Sequence, residues 1–428
     1  MIRRVAVPPF DVLAPLLPRP VGSDPVTRDR VAAILEAVRI RGDAAVREYT
    51  REFDGVDLAP AGWEIGPEAW QEALDRTPHA LRDALAAAVD RVRAYHERQR
   101  EAGFLVTDAD GTLLGMKVTA LDRVGLYVPG GKASYPSSVV MNAVPAVVAG
   151  VREIIAAVPP GGATDTVLAA CALAGVTRAF RIGGAQAIAA LACGTQTVPR
   201  VDKIVGPGNR WVAEAKRQVV GQVGIDMIAG PTELLVIADR TAVPERVAAD
   251  LLAQAEHDED ACAWCVTSEA ALADALPAAL ERALAAAPRA AIARAALERN
   301  GLVVVVPSMR EAIDVANLRA PEHLQIVAEG AERIAAGIRH AGAIFLGDDT
   351  PEPVGDYLAG PSHVLPTSGT ARYASPLGVY DFVKRTSLIR YSRARLEADA
   401  KHIIELAEAE GLPGHAQAVR VRLDPGDG

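Results

Sequence analysis

From Arg123 onward the chain alternates short apolar runs with helical segments, and this alternation limits the possible folds more than any other feature. The runs predict strands over 124–128, 153–158, 179–182 and 203–205, separated by helices over 138–149, 165–174, 185–192 and from 210. A second series predicts strands over 233–237, 262–266, 301–306, 324–327 and 343–346, with helices over 243–254, 270–287, 309–318 and 331–336. Short connections in β-α-β-α order are typical of a parallel sheet covered by helices on both faces. We therefore predict an α/β fold with two Rossmann-like parallel-sheet domains.

The segments before and after these two series have different sequence patterns. The first twenty residues are rich in proline and predict an extended arm. Helical patterns follow over 27–38, 43–53 and 67–100, the last interrupted near Thr77-Pro78, and a hairpin is expected over 106–116 around Asp110-Gly111. Beyond 378 we expect an extended stretch at 379–385, a helix at 392–410 and a polar tail.

Composition excludes several classes of protein. The net charge of −9 disfavours a general binder of the phosphate backbone. No run of eighteen apolar residues predicts a membrane helix, and the N-terminus lacks the pattern of a secretory signal, so the cytoplasm is expected. Cys171, Cys193, Cys262 and Cys265 are too few for a disulfide framework. Cys262 and Cys265 have the spacing of a metal or redox pair, but without a second such pair a structural role is favoured.

Glycine-rich turns follow three of the predicted strands, although none has the GxGxxG dinucleotide fingerprint. They lie at 127–131, 182–186 and 205–209 and carry Tyr127, Gln186 and Asn209. Ligands of open α/β sheets bind where strands end at their carboxyl edge. Each turn alone is explained by tight-turn geometry, whereas three in one domain favour a nucleotide cleft.

Histidine and carboxylate residues recur in the second series. Gln254 and His257 are three residues apart at a helix end, Glu322 precedes His323, and Asp356 precedes His363 by seven residues. His415 follows near the C-terminus. Imidazole and carboxylate ligands suit zinc, but this spacing alone is also that of ordinary surface residues. His79, His96, His340 and His402 lie in charged helical contexts typical of solvated side chains.

Seven segments together resemble the histidinol dehydrogenase family, and the resemblance extends from about Arg41 to His415. They are GLYVPGG at 125–131, GGAQA at 183–187, KIVGPGN at 203–209, DMIAGPTE at 226–233, QAEH at 254–257, APEHL at 320–324 and GDY at 355–357. Seven motifs in the same order make the resemblance highly specific. Thr232 departs from it, since the family usually has serine there.

The resemblance implies roles for individual residues. It implies that NAD contacts Tyr127, Gln186 and Asn209, and that Glu322 and His323 form an acid–base pair. It implies one zinc ion per subunit, with the ligands Gln254, His257, Asp356 and His415. Substrate contacts are expected from these residues: Thr232, Gln254, His257, His323, Asp356, Glu410 and His415.

The resemblance also implies an activity and an assembly. The expected reaction is oxidation of L-histidinol through L-histidinal to L-histidine with two NAD+, by a homodimer whose zinc sites are shared between subunits. We expect an arm at 1–22, a first α/β domain at 23–125 and 233–377 with the metal and catalytic residues, a second at 126–232 with the NAD contacts, and a dimerisation extension at 378–428.

Two alternatives remain open at this point. One is a family member that oxidises another small amino or sulfonated alcohol; Glu410 and His415 disfavour it, and substrate profiling separates the two. The other is a non-catalytic metal- or nucleotide-binding protein. The Glu322-His323 pair disfavours this second hypothesis. Failure to reduce NAD+ with any alcohol would support it.

Overall fold

A computed structural model describes residues 2–6, 17, 24–130 and 135–424, so most of the expected arm and Gly131 of the first glycine turn lie outside the described residues. The strands are β1 (Arg3–Ala6), β2 (Glu64–Ile65), β3 (Phe104–Thr107), β4 (Leu113–Ala120), β5 (Arg123–Tyr127), β6 (Glu153–Ala157), β7 (Arg178–Phe180), β8 (Lys203–Val205), β9 (Gly224–Ile225), β10 (Glu233–Ala238), β11 (Cys262–Thr267), β12 (Leu302–Val305), β13 (His323–Val327), β14 (Ala343–Leu346) and β15 (Val383–Arg390).

The helices confirm most of the predicted segments, with bounds that differ by a few residues. They are α1 (Pro25–Arg41), α2 (Asp43–Asp54), α3 (Pro67–Arg76), α4 (His79–Glu97), α5 (Pro136–Ala149), α6 (Asp165–Ala174), α7 (Gly184–Cys193), α8 (Arg210–Val219), α9 (Pro244–Ala255), α10 (Ala270–Ala286), α11 (Ala290–Asn300), α12 (Met309–Arg319), α13 (Ala331–Ala335), α14 (Glu352–Tyr357), α15 (Arg393–Ala409) and α16 (Pro413–Leu423). None of these helices combines the length and apolar character needed to cross a membrane.

The first large sheet has the strand order β2-β7-β6-β5-β8-β9. Its strands run parallel except β2, which pairs antiparallel with β7. Because neighbouring side chains of a strand point to opposite faces, Leu126 packs into a core with α3 to α6, while Tyr127 packs into a core with α1, α2, α7 and α8. The sheet is therefore covered by helices on both faces, as predicted.

The second large sheet is parallel throughout, with the order β1-β12-β11-β10-β13-β14. Every residue of β10 is buried, as expected for a parallel strand with helices on both sides. Helices α9 to α11 cover one face and α12 and α13 cover the other. The predicted fold class, α/β with parallel-sheet domains, is confirmed. Residues Arg3–Ala6 of the expected arm differ from the expectation, because they form the edge strand β1 beside β12.

The described chain divides into two compact units. One contains the chain up to Gln99 together with Leu121–Phe382, and the other contains Arg100–Ala120 with the chain from Val383 onward. The second unit is an antiparallel sheet of order β15-β4-β3, followed by α15 and α16. The predicted turn joins β3 to β4, where Gly111 has φ +85° and the Asp110 carboxylate accepts a hydrogen bond from the Thr112 backbone N–H at 2.8 Å.

Three further expectations from the sequence are wrong. The polar tail after residue 410 contains α16, which begins at Pro413, because proline is well tolerated in the first helical turn, where its missing N–H has no partner to lose. The extended stretch begins only at Val383, since Val379–Asp381 forms a 3₁₀ turn. His96 is buried, and its Nδ1 lies 2.7 Å from the Val92 carbonyl oxygen one helical turn earlier.

Cys262 and Cys265 both lie on β11, and their side chains reach opposite faces of the sheet. Cys265 is buried in the core with α9 to α11, while Cys262 packs against the core with α12 and α13. Residues three apart on a strand cannot ligate one ion together. This arrangement supports the structural role that the sequence favoured.

Candidate active site

A cavity of about 550 Å³ lies between the two large sheets. From the first sheet it receives the turns that follow β5 and β8, including Gly130 and Asn209, and from the second it receives Thr232, Glu322 and His323. The first sheet contributes the carboxyl ends of its strands, as the glycine turns predicted. The second sheet contributes the amino ends of β10 and β13. The rule that ligands bind at the carboxyl ends of the strands of an open sheet does not predict this arrangement.

A second cavity of about 580 Å³ adjoins the first, because Gly130 and Asn209 line both. Tyr127, Gln186 and Asn209, which the glycine turns carry, lie together in its wall. The Tyr127 hydroxyl accepts a hydrogen bond of 3.1 Å from the Gly184 backbone N–H at the start of α7. Gln186 is fully buried, and neither atom of its side-chain amide has a hydrogen-bond partner within the described residues. A ligand with complementary polar groups would satisfy that amide.

The turn after β8 is held by a buried ion pair. Gly206 has φ +106°, and a Cβ there would lie 2.3 Å from the Tyr127 carbonyl oxygen, so only glycine fits. Its N–H donates to the Asp226 carboxylate at 2.7 Å, and its carbonyl oxygen accepts from the Lys216 ammonium at 2.9 Å. Lys216 and Asp226 also pair with each other, with side chains 3% and 1% exposed. The pair therefore fixes the turn that leads to Asn209.

Glu322 lies at the base of the first cavity and is oriented by two donors. The Thr232 hydroxyl and the Glu233 backbone N–H each donate to its Oε2 at 2.8 Å. Thr232 thus provides the hydroxyl that serine has in the family, and its added methyl group does not prevent the bond. Burial raises the pKa of the Glu322 carboxyl well above its usual range despite these donors.

His323 follows Glu322 and is oriented by the backbone of β10. Its Nδ1 lies 3.0 Å from the Glu233 carbonyl oxygen. Because a carbonyl oxygen only accepts, Nδ1 donates, and the lone pair of the neutral ring is on Nε2. Burial lowers the pKa of His323 to about 4, so the ring is neutral near pH 7. A neutral imidazole with a fixed tautomer can accept a proton at Nε2.

Three side chains next to this pair could hold a metal ion. One ligand atom from each of His257, Glu352 and Asp356 lies within 4.8 Å of the others. His257 and Asp356 belong to the set implied by the resemblance. Gln254 of that set lies in the last turn of α9, three residues before His257. It is fully buried, and both of its side-chain amide atoms lack a partner in the described chain. One imidazole, two carboxylates and an unsatisfied amide form a donor set that fits zinc.

Sequence reasoning missed Glu352, which is buried on α14 with its Oε1 3.8 Å from the His323 Nδ1. Burial, with the charges of Asp356 and Asp250, raises the pKa of Glu352 to about 8. Its spacing of four residues from Asp356 was the available signal, since residues i and i+4 share one face of a helix. Proline residues on both sides of Glu352 obscured that short helix.

The remaining side chains considered from the sequence are His363 and two residues near the C-terminus. His363 lines the first cavity, and its Nδ1 donates to the Asp356 carbonyl oxygen at 3.1 Å. Glu410 and His415 belong to the second compact unit. There Glu410 follows the last residue of α15, and His415 is an exposed residue in the first turn of α16.

Comparison with known proteins identifies the family of this chain. The family profile of histidinol dehydrogenase matches residues 18–423. A histidinol dehydrogenase of Bordetella parapertussis is 57% identical over 397 residues, covering 92% of this chain and 90% of the relative. One of Dechloromonas aromatica is 54% identical and covers 92% of both chains.

A crystal structure of histidinol dehydrogenase from Elizabethkingia anophelis superposes with a TM-score of 0.93 at 34% identity, covering 99% of this chain and 98% of the other. Sequence and fold therefore match over nearly the whole length of the chain. The chain belongs to the histidinol dehydrogenase family of oxidoreductases.

Proposed function

We propose that this protein oxidises L-histidinol through L-histidinal to L-histidine, reducing two NAD+ and consuming one water. The observation that carries the proposal is the shared wall of the two cavities. Gly130 and Asn209 line both, so a nucleotide in the cleft of Tyr127, Gln186 and Asn209 adjoins the cavity that holds Glu322 and His323. A hydride acceptor and a proton acceptor can then reach the same substrate carbon and oxygen.

In the first oxidation, Nε2 of His323 accepts the hydroxyl proton as the carbinol carbon transfers a hydride to NAD+. The hydrogen bond from Nδ1 to the Glu233 carbonyl orients the ring for this step. Burial keeps His323 neutral and therefore able to accept a proton near pH 7.

In the second oxidation, the aldehyde adds water and the hydrate transfers a second hydride to NAD+. Glu322 is the group we assign to water activation, because its raised pKa favours accepting a proton and its Oε2 is held by Thr232 and the Glu233 backbone. Separate residues for the two proton transfers explain why an adjacent Glu-His pair is needed.

We infer that zinc is held by Gln254, His257 and Asp356, with His415 of the partner subunit as a further ligand. Zinc would supply a template that binds the imidazole and amine nitrogens of the substrate and orients its alcohol. The buried, unpartnered Gln254 amide and the cluster of His257 with Asp356 support this assignment. Thr232, His323 and Glu410 are the further proposed substrate contacts.

The second compact unit supports assembly into a homodimer. Strand β3 is at the edge of its sheet and exposes Phe104, Leu105 and Val106 by 54%, 62% and 55%. An apolar edge strand is a ready surface for association with another chain. His415 is exposed on the same unit and could reach a partner's site. We expect the dimer in the cytoplasm.

The test is NADH formation from L-histidinol, compared with other amino alcohols and with a sulfonated alcohol. We expect L-histidinol to be strongly preferred, activity to disappear after chelation, and zinc to restore it. Preference for another alcohol would contradict the substrate assignment. Full activity in metal-free protein would contradict the proposed role of zinc.

A further inference from the structure

One wall of the NAD cleft is formed by residues that the proposed mechanism does not use. Arg30 of α1, Phe53 and Asp54 at the end of α2, and Trp211 of α8 line the cavity together with Tyr127. They differ in chemistry from the amide and glycine residues that also line the cavity. Aromatic rings and a carboxylate are the groups that recognise a nucleoside.

The aromatic part of this wall has a fixed arrangement. The Arg30 guanidinium carbon lies 5.2 Å from the Phe53 ring centre and 5.6 Å from the Trp211 ring centre. Glu52 pairs with Arg30 at 3.0 Å. Arg210 also lies against Trp211, with its guanidinium carbon 5.1 Å from the ring centre, and Tyr49 stacks on Phe53 with ring centres 5.6 Å apart. The two rings therefore belong to a packed group of aromatic and guanidinium side chains that a flat base can lie against.

Asp54 is the polar part of the wall. Its side chain is partly exposed where it lines the cleft, while its Oδ2 is buried and has no hydrogen-bond partner among the described residues. It is also the last residue of α2, where the helix dipole disfavours a negative charge. An unsatisfied carboxylate in this position is costly unless a ligand donates hydrogen bonds to it.

The position of Asp54 in the cleft suggests which ligand group it receives. The pKa of Tyr127 is raised to about 12, mainly by burial, and the charge of Asp54 contributes to this rise because the two side chains are close together. Among the residues that the structure describes, the charged side chains lining the cleft are Arg30, Glu52 and Asp54. Since Arg30 and Glu52 pair with each other, Asp54 is the one uncompensated charge among these three.

We propose that Asp54 accepts hydrogen bonds from the vicinal hydroxyls of the adenosine ribose and so selects NAD+ over NADP+. The proposal rests on the NAD-linked reaction proposed above. A diol offers two donors to one carboxylate, whereas a 2′-phosphate would remove a donor and add negative charge beside Asp54. The adenine ring would then lie against the group that contains Arg30, Phe53 and Trp211.

The test compares Asp54→Asn and Asp54→Ala with the control Asp57→Asn. Asp57, three residues after Asp54, is exposed and pairs with Arg47 at 2.6 Å, but it does not line the cleft. We expect Asp54→Ala to raise the KM for NAD+ about tenfold or more with little change in the KM for histidinol. Asp54→Asn should lower the kcat/KM preference for NAD+ over NADP+ by about tenfold, and Asp57→Asn should change neither constant.

Binding of NADH without histidinol, followed by tryptophan fluorescence, separates this proposal from the proposed reaction. Weaker NADH binding by Asp54→Ala supports the ribose contact even if the wild-type protein fails to oxidise histidinol, which would contradict only the proposed reaction. Unchanged NADH affinity and an unchanged NAD+/NADP+ preference in a folded Asp54→Asn protein would overturn the assignment of Asp54.

Discussion

His323 combines burial, a fixed tautomer and a pKa lowered to about 4, and its replacement tests whether these features serve proton transfer. Asparagine can keep a donor toward the Glu233 carbonyl but has no basic nitrogen. We expect His323→Asn to reduce turnover with L-histidinol by on the order of 10² or more, with zinc content and thermal stability retained. His402→Asn, at an exposed histidine, is the control. Near-normal turnover with an unaltered pH profile would remove His323 from the role of base.

Glu322 gives a prediction that distinguishes the two oxidations. Glutamine preserves the shape of the side chain and can still accept from Thr232 and the Glu233 N–H, but it cannot accept a proton. We expect Glu322→Gln to slow oxidation of L-histidinal much more than oxidation of L-histidinol to the aldehyde. Single-turnover measurements from each substrate make the comparison. Equal losses in both reactions would count against water activation by Glu322.

The identities of the expected site residues were predicted from motifs. Whether each residue is buried, and which residues it lies close to in space, was not predicted. Charged neighbours in the sequence gave no indication that His96 is buried, because they lie on the other faces of α4. Glu352 was missed because its place in this cluster depends on proximity to His257 and Asp356 in space. Neither burial nor such proximity is encoded in local spacing.

At the scale of elements, the pair of Lys216 and Asp226 links α8 to the turn that positions Asn209. Lys216→Met leaves a carboxylate buried without its partner, and we expect a loss of about 3–5 kcal/mol in unfolding free energy. The KM for NAD+ should rise because the turn at Gly206 is released. Urea denaturation and steady-state kinetics measure the two effects.

The control for this prediction is Lys216→Met combined with Asp226→Leu, which removes both charges. Replacing a buried ion pair by apolar side chains is often neutral for stability. The double variant should therefore recover much of the stability while the KM for NAD+ stays high, because Gly206 still lacks both side-chain partners. A double variant as unstable as Lys216→Met would show that burial of the lone charge is not the cause.

The elements from 123 to 346 were predictable because parallel strands are continuous apolar runs and their helices are separated by short polar turns. Helix α16 was not, since Pro413-Gly414 also fits a turn. Strand β1 was not, because its pairing with β12 brings together residues about 300 positions apart. Local patterns predict elements well and long-range pairing poorly.

At the scale of the whole molecule, we predict that each active site contains residues of two chains. His257→Ala and His415→Ala are each expected to be inactive as homodimers. In a mixed dimer, one site is doubly damaged and the other has both histidines, so up to half the activity per dimer should return. The measurement is activity of purified heterodimers after reversible dissociation. Inactive heterodimers of confirmed composition would show that each chain supplies its own His415.

The two cavities also belong to this scale. The glycine turns predicted a ligand at the carboxyl edge of the first sheet, and the structure places Tyr127, Gln186 and Asn209 in one cleft there. The meeting of that edge with the amino edge of the second sheet followed from no sequence pattern. It depends on how two separately recognisable α/β sheets pack.

If one protein carries out two successive oxidations of L-histidinol, the ratio of NADH formed to L-histidinol consumed is fixed. Measuring this ratio is the most direct test of the proposed reaction. L-Histidinol would be limiting and NAD+ in excess, with NADH measured by absorbance and the product identified by mass. We predict two NADH for each L-histidinol consumed, with L-histidine as the product. One NADH for each L-histidinol, with L-histidinal accumulating, would contradict it.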